Sequence, residues 1–398
     1  MLLEAQGLSD TLVDLRRDFH RHPELAFEEH RTARRVAERL AALGIAVRTG
    51  VGKTGVVGDL GHAGPRIALR ADMDALPIQE TNEVPYASQV PGVMHACGHD
   101  VHVACLLGVA ELLAREAAAG RLPGQVRFLF QPAEEAQDDE GLSGAMRMVD
   151  EGVMEGVDAV LGLHVWSEDL VGTISLREGA ASAYPDKFDL VVKGQEAHGA
   201  FPHRGVDAIS LAAQVITALE TMVSRRLDPT KGKVLTVGTI QGGTKDNIMA
   251  GQVAMTGTIR TFEPETRETL FAEVERACGV ARVLGGDYDL TIYPGYIPVV
   301  NDPALTALVR QVGADLLGAE NVEQAPLQMG GEDFSYFAEE APGCFFFIGG
   351  ATPGEPVRLH HHPRFDVDER CLPLGAALLA EAAVRFLNEA TASQVHSQ

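Results

Sequence analysis

Residues 124–135, GQVRFLFQPAEE, run from a glycine through an apolar stretch to two adjacent acids. A short apolar run of this kind is typical of a buried β-strand. The stretches RIALRA (66–71) and VDAVLGLHVW (157–166) have the same character, and helical patterns lie between such strands. This alternation of β and α segments predicts an α/β fold in which helices cover a mostly parallel sheet.

The spacing of apolar residues predicts helices from about Ser9, over residues 28–43 and over residues 101–119. Gly44 follows the second of these helices directly and is a candidate C-terminal cap. The third helix is apolar and alanine-rich, and it begins inside the stretch HACGHDVH (95–102).

The character of the sequence changes near Tyr184. From there to about residue 294, the predicted order of elements is βαββαβ, which matches a ferredoxin-like α+β module. Strand and helix signals of the first kind resume with CFFFIGG (344–350). We therefore predict one α/β catalytic domain, made of residues 1–183 and 295–398, that is interrupted by a small inserted domain, residues 184–294.

Composition excludes several classes of protein. The chain has 398 residues and a formal net charge of −23, so nucleic acid and anionic membranes would repel it. The sequence shows no signal-peptide pattern and no run of about 18 apolar residues that would span a bilayer. Its five cysteines are scattered, as in proteins of a reducing compartment. We predict a cytoplasmic protein without nucleic-acid or membrane partners.

Four separate segments carry candidate metal ligands: HACGHD (95–100), QPAEE (131–135), GLHVW (162–166) and LHHHPRFD (359–366). The last three lie at or just after predicted apolar strands, and the first directly precedes a helix. In an open parallel sheet, the carboxyl ends of the strands form the ligand crevice. Thiolate, imidazole and carboxylate groups meeting at such an edge have the composition of a transition-metal site.

Two alternatives to this metal site are weaker. A closed structural zinc site usually contains closely spaced cysteine pairs, and the sequence has no C-x-x-C motif. A cysteine hydrolase would use Cys97 as nucleophile with His99 or another histidine as base. This alternative leaves the two glutamates of QPAEE and the histidines of GLHVW and LHHHPRFD without a function.

Several long motifs, in the same order along nearly the whole chain, resemble the zinc-peptidase-like amidohydrolases, which include aminoacylases, hippurate hydrolases and auxin–amino-acid conjugate hydrolases. The motifs are DFHRHPELAFEE (18–29), RADMDALPI (70–78), MHACGHDVHVA (94–104), QPAEE, GLHVW, KGQEAHGAFPHRGVDAI (193–209), GTIRTF (257–262), GGEDFSYF (330–337) and HHPRFDVDE (361–369). The resemblance implies a two-metal catalytic domain and an inserted domain that dimerises and helps to close the site.

The resemblance also implies a ligand set: Cys97, which bridges the ions, with His99, Glu135, His164 and His361. His360 and His362 flank the last of these and are the alternatives to it. Related glutamate carboxypeptidases and dipeptidases have an aspartate at the position of Cys97 and a metal-binding histidine at the position of Asp72. This sequence follows the cysteine-containing branch, in which His99 replaces that lost ligand.

Further roles are expected around these ligands. Neighbouring residues of an extended segment point in opposite directions, so Glu134 is the predicted general base while Glu135 faces a metal. The resemblance implies that His198 crosses the dimer interface to stabilise the oxyanion in the partner's site. Asn247 and Arg260 are candidates for holding a substrate carboxylate, although a salt bridge is the competing role for Arg260.

The remaining candidates are less direct. Glu332 is expected to border the acyl or leaving-group pocket. Asp74, Asp100 and His102 are expected to orient the ligands, because a ligating histidine usually donates its other N–H to an acceptor.

The sequence thus predicts a homodimeric, metal-dependent amidohydrolase that cleaves N-acyl amino acids into a carboxylic acid and a free amino acid. The alternative within hydrolases is a dipeptidase or aminopeptidase-like enzyme, and the alternative outside them is a metal-stabilised binding protein. Two divalent ions are expected in each subunit. Thiolate and imidazole favour zinc, and carboxylate-rich sites also accept manganese, cobalt or nickel.

Overall fold

The computed structural model describes residues 1–396, and the chain divides into two compact units. The first unit contains Met1–Ala181, Val299–Pro326 and the chain from Asp333 onward, and the second contains Ser182–Pro298 and Leu327–Glu332. The boundaries predicted from the sequence, 184 and 294, lie inside the long segment of the second unit. No pattern in the sequence indicated that residues 327–332 belong with that unit.

The helices and strands follow one another along the chain as listed in this paragraph. The helices are α1 (Leu2–Gln6), α2 (Ser9–Arg21), α3 (His30–Ala42), α4 (His99–Ala118), α5 (Gly144–Asp150), α6 (Ala208–Arg225), α7 (Pro264–Cys278), α8 (Val280–Val283), α9 (Pro303–Leu317), α10 (Phe334–Glu340) and α11 (Cys371–His396). The strands are β1 (Ala46–Val51), β2 (Gly55–Leu60), β3 (Arg66–Asp72), β4 (Gln125–Gln131), β5 (Ala159–Leu170), β6 (Ile174–Leu176), β7 (Gly179–Ala180), β8 (Tyr184–Lys193), β9 (Lys233–Gly242), β10 (Gln252–Thr261), β11 (Asp287–Tyr293), β12 (Val300–Asn301), β13 (Val322–Gln324) and β14 (Gly343–Ala351). Short 3-10 turns cover Pro202–Arg204 and Ala319–Asn321.

An eight-stranded sheet in the order β1-β2-β4-β3-β5-β14-β6-β13 forms the centre of the first unit. Its four central strands, β4, β3, β5 and β14, run parallel to one another. Strands β1 and β2 extend one side in antiparallel fashion. The central strands are buried along almost their whole length, as expected for a parallel sheet that is covered on both faces. The prediction of an α/β fold with a mostly parallel sheet is confirmed.

Helices α4 and α11 belong to the apolar core of this unit. The first turns of α4 are buried on every side, and α4 starts at His99, two residues earlier than predicted. Helix α11 contains a stretch, Cys371–Ser393, that is long and apolar enough to cross a membrane, but 67% of its apolar window is buried inside the protein. Such burial is what the core helix of a globular domain shows.

The register of the central strands brings the candidate ligands to one edge. Asp72 and Gln131, the last residues of β3 and β4, are paired, and Arg70 is paired with Gly162 of β5. His164 is therefore level with the end of β3. The sequence predicted that β5 ends near this histidine, but the strand continues to Leu170 because its second half pairs with β14.

The second unit has its own four-stranded sheet in the order β11-β8-β10-β9, with all neighbouring strands antiparallel. Its long elements follow the order βαββαβ of a ferredoxin-like module, with the short α8 added before β11. Strand β8 alternates buried and more exposed residues, so one face of the sheet packs on its helices. Asp207 caps α6 by accepting the N–H of Ile209.

Gly98 decides how α4 meets the sheet. Its φ is +92°, in the left-handed region that favours glycine, and a Cβ at this position would lie 2.3 Å from Cγ1 of Val165 in β5. Only a residue without a side chain therefore lets Cys97 and His99 approach β5 this closely.

We expect Gly98→Ala to lower the free energy of unfolding by about 2–5 kcal/mol, because about 1–3 kcal/mol of overpacking adds to about 1–2 kcal/mol of backbone strain. Urea denaturation measures this change. Gly92→Ala is the matched control, since Gly92 also has a positive φ, +77°, but no atom within 4 Å of the added methyl. Equal losses in the two variants would show that the contact with Val165 is unimportant.

Candidate metal centre

Two buried histidines, His99 and His164, lie beside Cys97 with Nε2 as the available ligand atom. His99 Nδ1 lies 2.9 Å from the carbonyl oxygen of Asp74, and His164 Nδ1 lies 2.7 Å from that of Val165. A carbonyl oxygen only accepts hydrogen bonds, so in the neutral form of each ring Nδ1 carries the proton and Nε2 has a lone pair. This is the arrangement that histidine ligands of metals usually have.

The candidate donor atoms form two groups, and Cys97 belongs to both. One contains Cys97, His99 and His164, and the other contains Cys97, Glu135 and His361; within each group, single donor atoms lie within 4.8 Å of one another. His164 Nε2 is 3.5 Å from Cys97 Sγ, and His361 Nε2 is 2.9 Å from a carboxylate oxygen of Glu135. The geometry therefore brings together the five residues for which the sequence predicts a ligand role.

The three consecutive histidines after β14 have different surroundings. His360 directs Nε2 to the carbonyl oxygen of Val165 at 2.9 Å and Nδ1 to the Ser167 hydroxyl at 3.1 Å. His362 accepts the N–H of Arg364 on its own loop. His361 is the one whose ring reaches Glu135, so it stays the predicted ligand among the three.

The backbone of His361 is unusual. Its φ is +56°, and its N–H donates to the carbonyl oxygen of Ala96, next to Cys97. A non-glycine residue in the left-handed region is strained, and such residues are held in place where a side chain needs a particular direction. Here the backbone bond ties the His361 loop to the segment that carries Cys97.

Negative charge dominates the centre when no cation is present. Burial opposes protonation of His99, but the carboxylates of Asp72, Asp74 and Glu135 outweigh it and raise the pKa of His99 to about 10. His99 Nε2 is also buried without a hydrogen-bond partner among residues 1–396. Both observations fit a site that is built to receive a cation.

The negative charge of the nearby carboxylates also makes Cys97 unsuitable as the nucleophile of a cysteine hydrolase. Burial raises the pKa of the Cys97 thiol well above its usual range, and the nearby Glu135 and Glu134 carboxylates raise it further. Burial and the neighbouring His102 and His360 lower the pKa of His164, so this ring is neutral. A reactive cysteine needs surroundings that lower the pKa of its thiol, whereas burial and the Glu135 and Glu134 carboxylates raise the pKa of Cys97.

Asp74 holds two ligands at once. Beside its backbone contact, its Oδ1 lies 3.2 Å from His99 Nδ1, and its Oδ2 accepts the N–H of Glu135 at 3.0 Å. His102 accepts the N–H of Val165 at Nε2 and donates from Nδ1 to Asp72 at 2.6 Å. Both residues thus contact the segments that carry the ligands, as the sequence led us to expect.

Asp100 does not orient a ligand in the way predicted. Its Oδ2 accepts hydrogen bonds from Arg16 Nε and from His20 Nδ1, both at 2.8 Å and both on α2. The first turn of α4 directs this side chain towards α2, and the neighbouring His99 points to Asp74 instead. Asp100 therefore fixes the start of α4 to another helix. Burial opposes its ionisation, but Arg16 and His20 prevail and hold the pKa of Asp100 below its usual range.

Sequence reasoning missed a buried charged group under the centre. Arg70 donates to Asp72 at 2.6 Å, to Gln131 at 2.6 Å and to Asp333 at 3.0 Å. Burial raises the pKa of Asp333 to about 6 although Arg70 opposes the shift. The signal available in the sequence was a charged pair inside an otherwise apolar strand, RIALRAD.

Four predicted site residues lie in the second unit. His198 is exposed, forms a bridge with Ile248 and accepts the N–H of Ala200 at Nδ1. Asn247 is exposed on the adjoining segment, where its carbonyl oxygen accepts the N–H of Gly199. His198 and Asn247 are therefore on neighbouring stretches of this unit.

Arg260 and Glu332 complete this set. Arg260 Nη1 donates to the carbonyl oxygens of Asp186 and Ile259 at 3.3 and 3.1 Å, and also bonds the Thr258 hydroxyl. It thus contacts its own sheet and forms none of the salt bridges found among residues 1–396. Glu332 is the last residue of the short segment 327–332.

Comparisons with known proteins agree with this architecture. The family model described as Peptidase family M20/M25/M40 matches residues 68–385. An N-acetyl-L-cysteine deacetylase of Bacillus subtilis is 40% identical over 98% of this chain and 91% of its own. The IAA-amino acid hydrolase ILR1-like 4 of Arabidopsis thaliana is 40% identical over 99% of this chain and 90% of its own.

A solved structure shows the same likeness. The YXEP protein of Bacillus subtilis, described as a dinuclear metal binding peptidase from the M20 family, superposes with a TM-score of 0.83. The two sequences are 36% identical, and the match covers 96% of this chain and 99% of the other. The family match spans most of the chain and includes the whole candidate centre. This chain belongs to peptidase family M20/M25/M40, a family of hydrolases whose members include amidohydrolases.

Proposed function

We propose that this protein hydrolyses the amide bond of N-acyl amino acids, using two divalent metal ions. The observation that carries the proposal is the pair of donor groups that share Cys97, with Glu134 beside them. One oxygen of Glu134 lies within 4.8 Å of donor atoms of His99 and Glu135. The N-acetyl-cysteine and auxin-conjugate hydrolases among its relatives, both named for N-acyl amino acid substrates, support this substrate class.

Cys97, His99 and His164 would hold one ion, and Cys97, Glu135 and His361 the other. When bound, such ions polarise an amide carbonyl and make water acidic enough to lose a proton near neutral pH. The thiolate and imidazoles favour zinc, while manganese, cobalt and nickel are the alternatives. The ionised Cys97 and Glu135 would offset two of the four positive charges.

Glu134 would act as the general base. It would take a proton from the attacking water and deliver it to the leaving nitrogen, so that the amine departs neutral. Its side chain is buried, with 8% of its surface exposed, so it works in a largely water-excluded place.

The second unit would supply the substrate contacts. We propose a homodimer in which His198 donates a hydrogen bond to the tetrahedral oxyanion in the partner's site. Asn247 and Arg260 would bind the free carboxylate of the amino acid, and Glu332 would border the pocket for the acyl or leaving group. We further propose a cytoplasmic location, which the five unpaired cysteines support.

The first experiment tests metal-dependent amide hydrolysis. We expect that a chelator abolishes release of free amino acid from N-acetyl, N-benzoyl, indole-acetyl or fatty-acyl substrates, and that zinc, manganese, cobalt or nickel restores it. Chromatography with mass detection measures the product. Faster cleavage of unblocked dipeptides would make the protein a dipeptidase, and bound metal without any hydrolysis would make it a binding protein.

The second experiment tests Glu134. We expect Glu134→Gln to keep both metal ions and to lower kcat by about 10²–10⁴-fold, the contribution typical of a positioned proton-transfer group. Elemental analysis and steady-state kinetics measure the two effects. Asp139→Asn changes an exposed acid of the same loop and should leave both unchanged. Near-normal kcat in Glu134→Gln with full metal content would refute the role.

The third experiment tests whether His198 acts across a dimer. Neither His198→Ala nor Glu134→Gln protein should be active alone. Mixed in equal amounts, they should regain about one quarter of wild-type activity, because half of the dimers are mixed and each of these has one intact site. Subunit exchange is verified by native mass spectrometry. Mixed dimers without activity would exclude the contribution across the interface.

A further inference from the structure

Glu29 is a buried carboxylate that the proposed mechanism does not use. It is the last acid of the motif DFHRHPELAFEE (18–29) and directly precedes α3. None of its surface is exposed. A buried acid must have its oxygens satisfied by hydrogen bonds, so its partners show what it holds in place.

Glu29 binds three separate segments of the first unit. Its Oε1 accepts the N–H groups of Phe27 at 3.0 Å and of Ala133 at 2.8 Å, and its Oε2 accepts the hydroxyl of Thr54. Phe27 and Ala133 both have left-handed backbones, with φ values of +61° and +45°, and so does Lys53, next to Thr54, with +80°. Among residues 1–396, His361 is the only other non-glycine residue with positive φ.

The bond to Ala133 bears directly on the centre, because Ala133 immediately precedes Glu134 and Glu135. An alanine enters the left-handed region only where the surrounding contacts hold it there. Glu29 fixes the N–H of Ala133, and Asp74 fixes the N–H of Glu135 two residues later. The directions of the two glutamate side chains therefore depend on two acids, one on each side of Glu134.

We propose that Glu29 is a positioning residue that holds the left-handed turn at Ala133 and so directs Glu134 and Glu135 into the metal centre. This inference rests on the proposed function, which assigns Glu134 as base and Glu135 as ligand. The position of its accepting oxygens matters more than its charge. Burial and the nearby Asp74 raise the pKa of Glu29 to about 7, so its surroundings disfavour the charge.

Four variants separate position, charge and fold. Glu29→Gln keeps an accepting oxygen at the same distance and removes the charge, whereas Glu29→Asp keeps the charge and withdraws the oxygen by one methylene. Glu29→Ala removes both. Glu24→Ala is the matched control, because Glu24 also accepts two backbone N–H groups, those of Arg31 and Thr32, without touching Ala133.

Three quantities are measured: the zinc Kd of chelator-stripped protein by competition with a chromophoric chelator, kcat and KM on the best N-acyl substrate of the wild type, and Tm. We expect Glu29→Asp and Glu29→Ala to weaken zinc binding and lower kcat by about 10- to 100-fold, with little change in KM. Glu29→Gln should stay within about threefold of wild type. Glu24→Ala should lower Tm alone.

Two results would overturn the inference. The first is weaker zinc binding and a lower kcat in Glu29→Gln, with wild-type values in Glu29→Asp. This result would show that the charge matters and the position does not. The second is a lower Tm in Glu29→Ala with unchanged zinc Kd and kcat, as expected for Glu24→Ala. This result would show that Glu29 stabilises the fold without positioning the centre. If Glu29→Ala does not fold, the comparison of Gln with Asp decides. A wild type that binds zinc but hydrolyses nothing would refute the proposed function, and the zinc Kd values would still test the turn.

Discussion

Concentrated negative charge at the carboxyl edge of the central sheet is the constraint on which the rest of the centre depends. The carboxylates of Asp72, Asp74 and Glu135 lie around His99 and raise its pKa to about 10 despite its burial. Carboxylates crowded into a buried place are unfavourable without a compensating cation. Arg70 offsets the charge of Asp72, and the proposed divalent ions would offset the remaining negative charge. The proposed general base and the candidate ligands lie at this edge because the parallel strands end there together.

Rigid support beneath this edge comes from charged side chains inside the core. Arg70 joins Asp72 to Asp333, and Arg16 joins α2 to the start of α4 through Asp100. Removing one partner of such a buried network is costly, since the other charges remain without water. The network contributes little to net stability in itself, but it fixes the segments that carry the ligands relative to one another.

The sequence predicted the sheet, and it also predicted that the candidate ligands lie at one sheet edge, for a physical reason. Strands buried on both faces are continuous apolar runs, and the first polar residues after them must lie at the sheet edge, as Glu134 and Glu135 do. The sequence could not show that β5 continues past His164, because pairing with a distant strand decides where a strand ends. The same limit hid the bond of Glu29 to Ala133, 104 positions away, and the bond of Asp100 to His20, 80 positions away.

Arg70 explains why this chain can have an acid at position 72 together with a cysteine at position 97. The family resemblance implies that related carboxypeptidases have an aspartate and a metal-binding histidine at these two positions, and such a pair brings one negative charge. Here an ionised Cys97 and Asp72 would bring two, but Asp72 is fully buried and bonded to Arg70 and His102. The guanidinium offsets the charge of Asp72. Although burial opposes ionisation, Arg70 and the imidazole rings of His99 and His102 hold the pKa of Asp72 well below its usual range. If metal ions bind, Cys97 would then be the one of these two residues whose charge acts on them, while Asp72 orients His102 against β5.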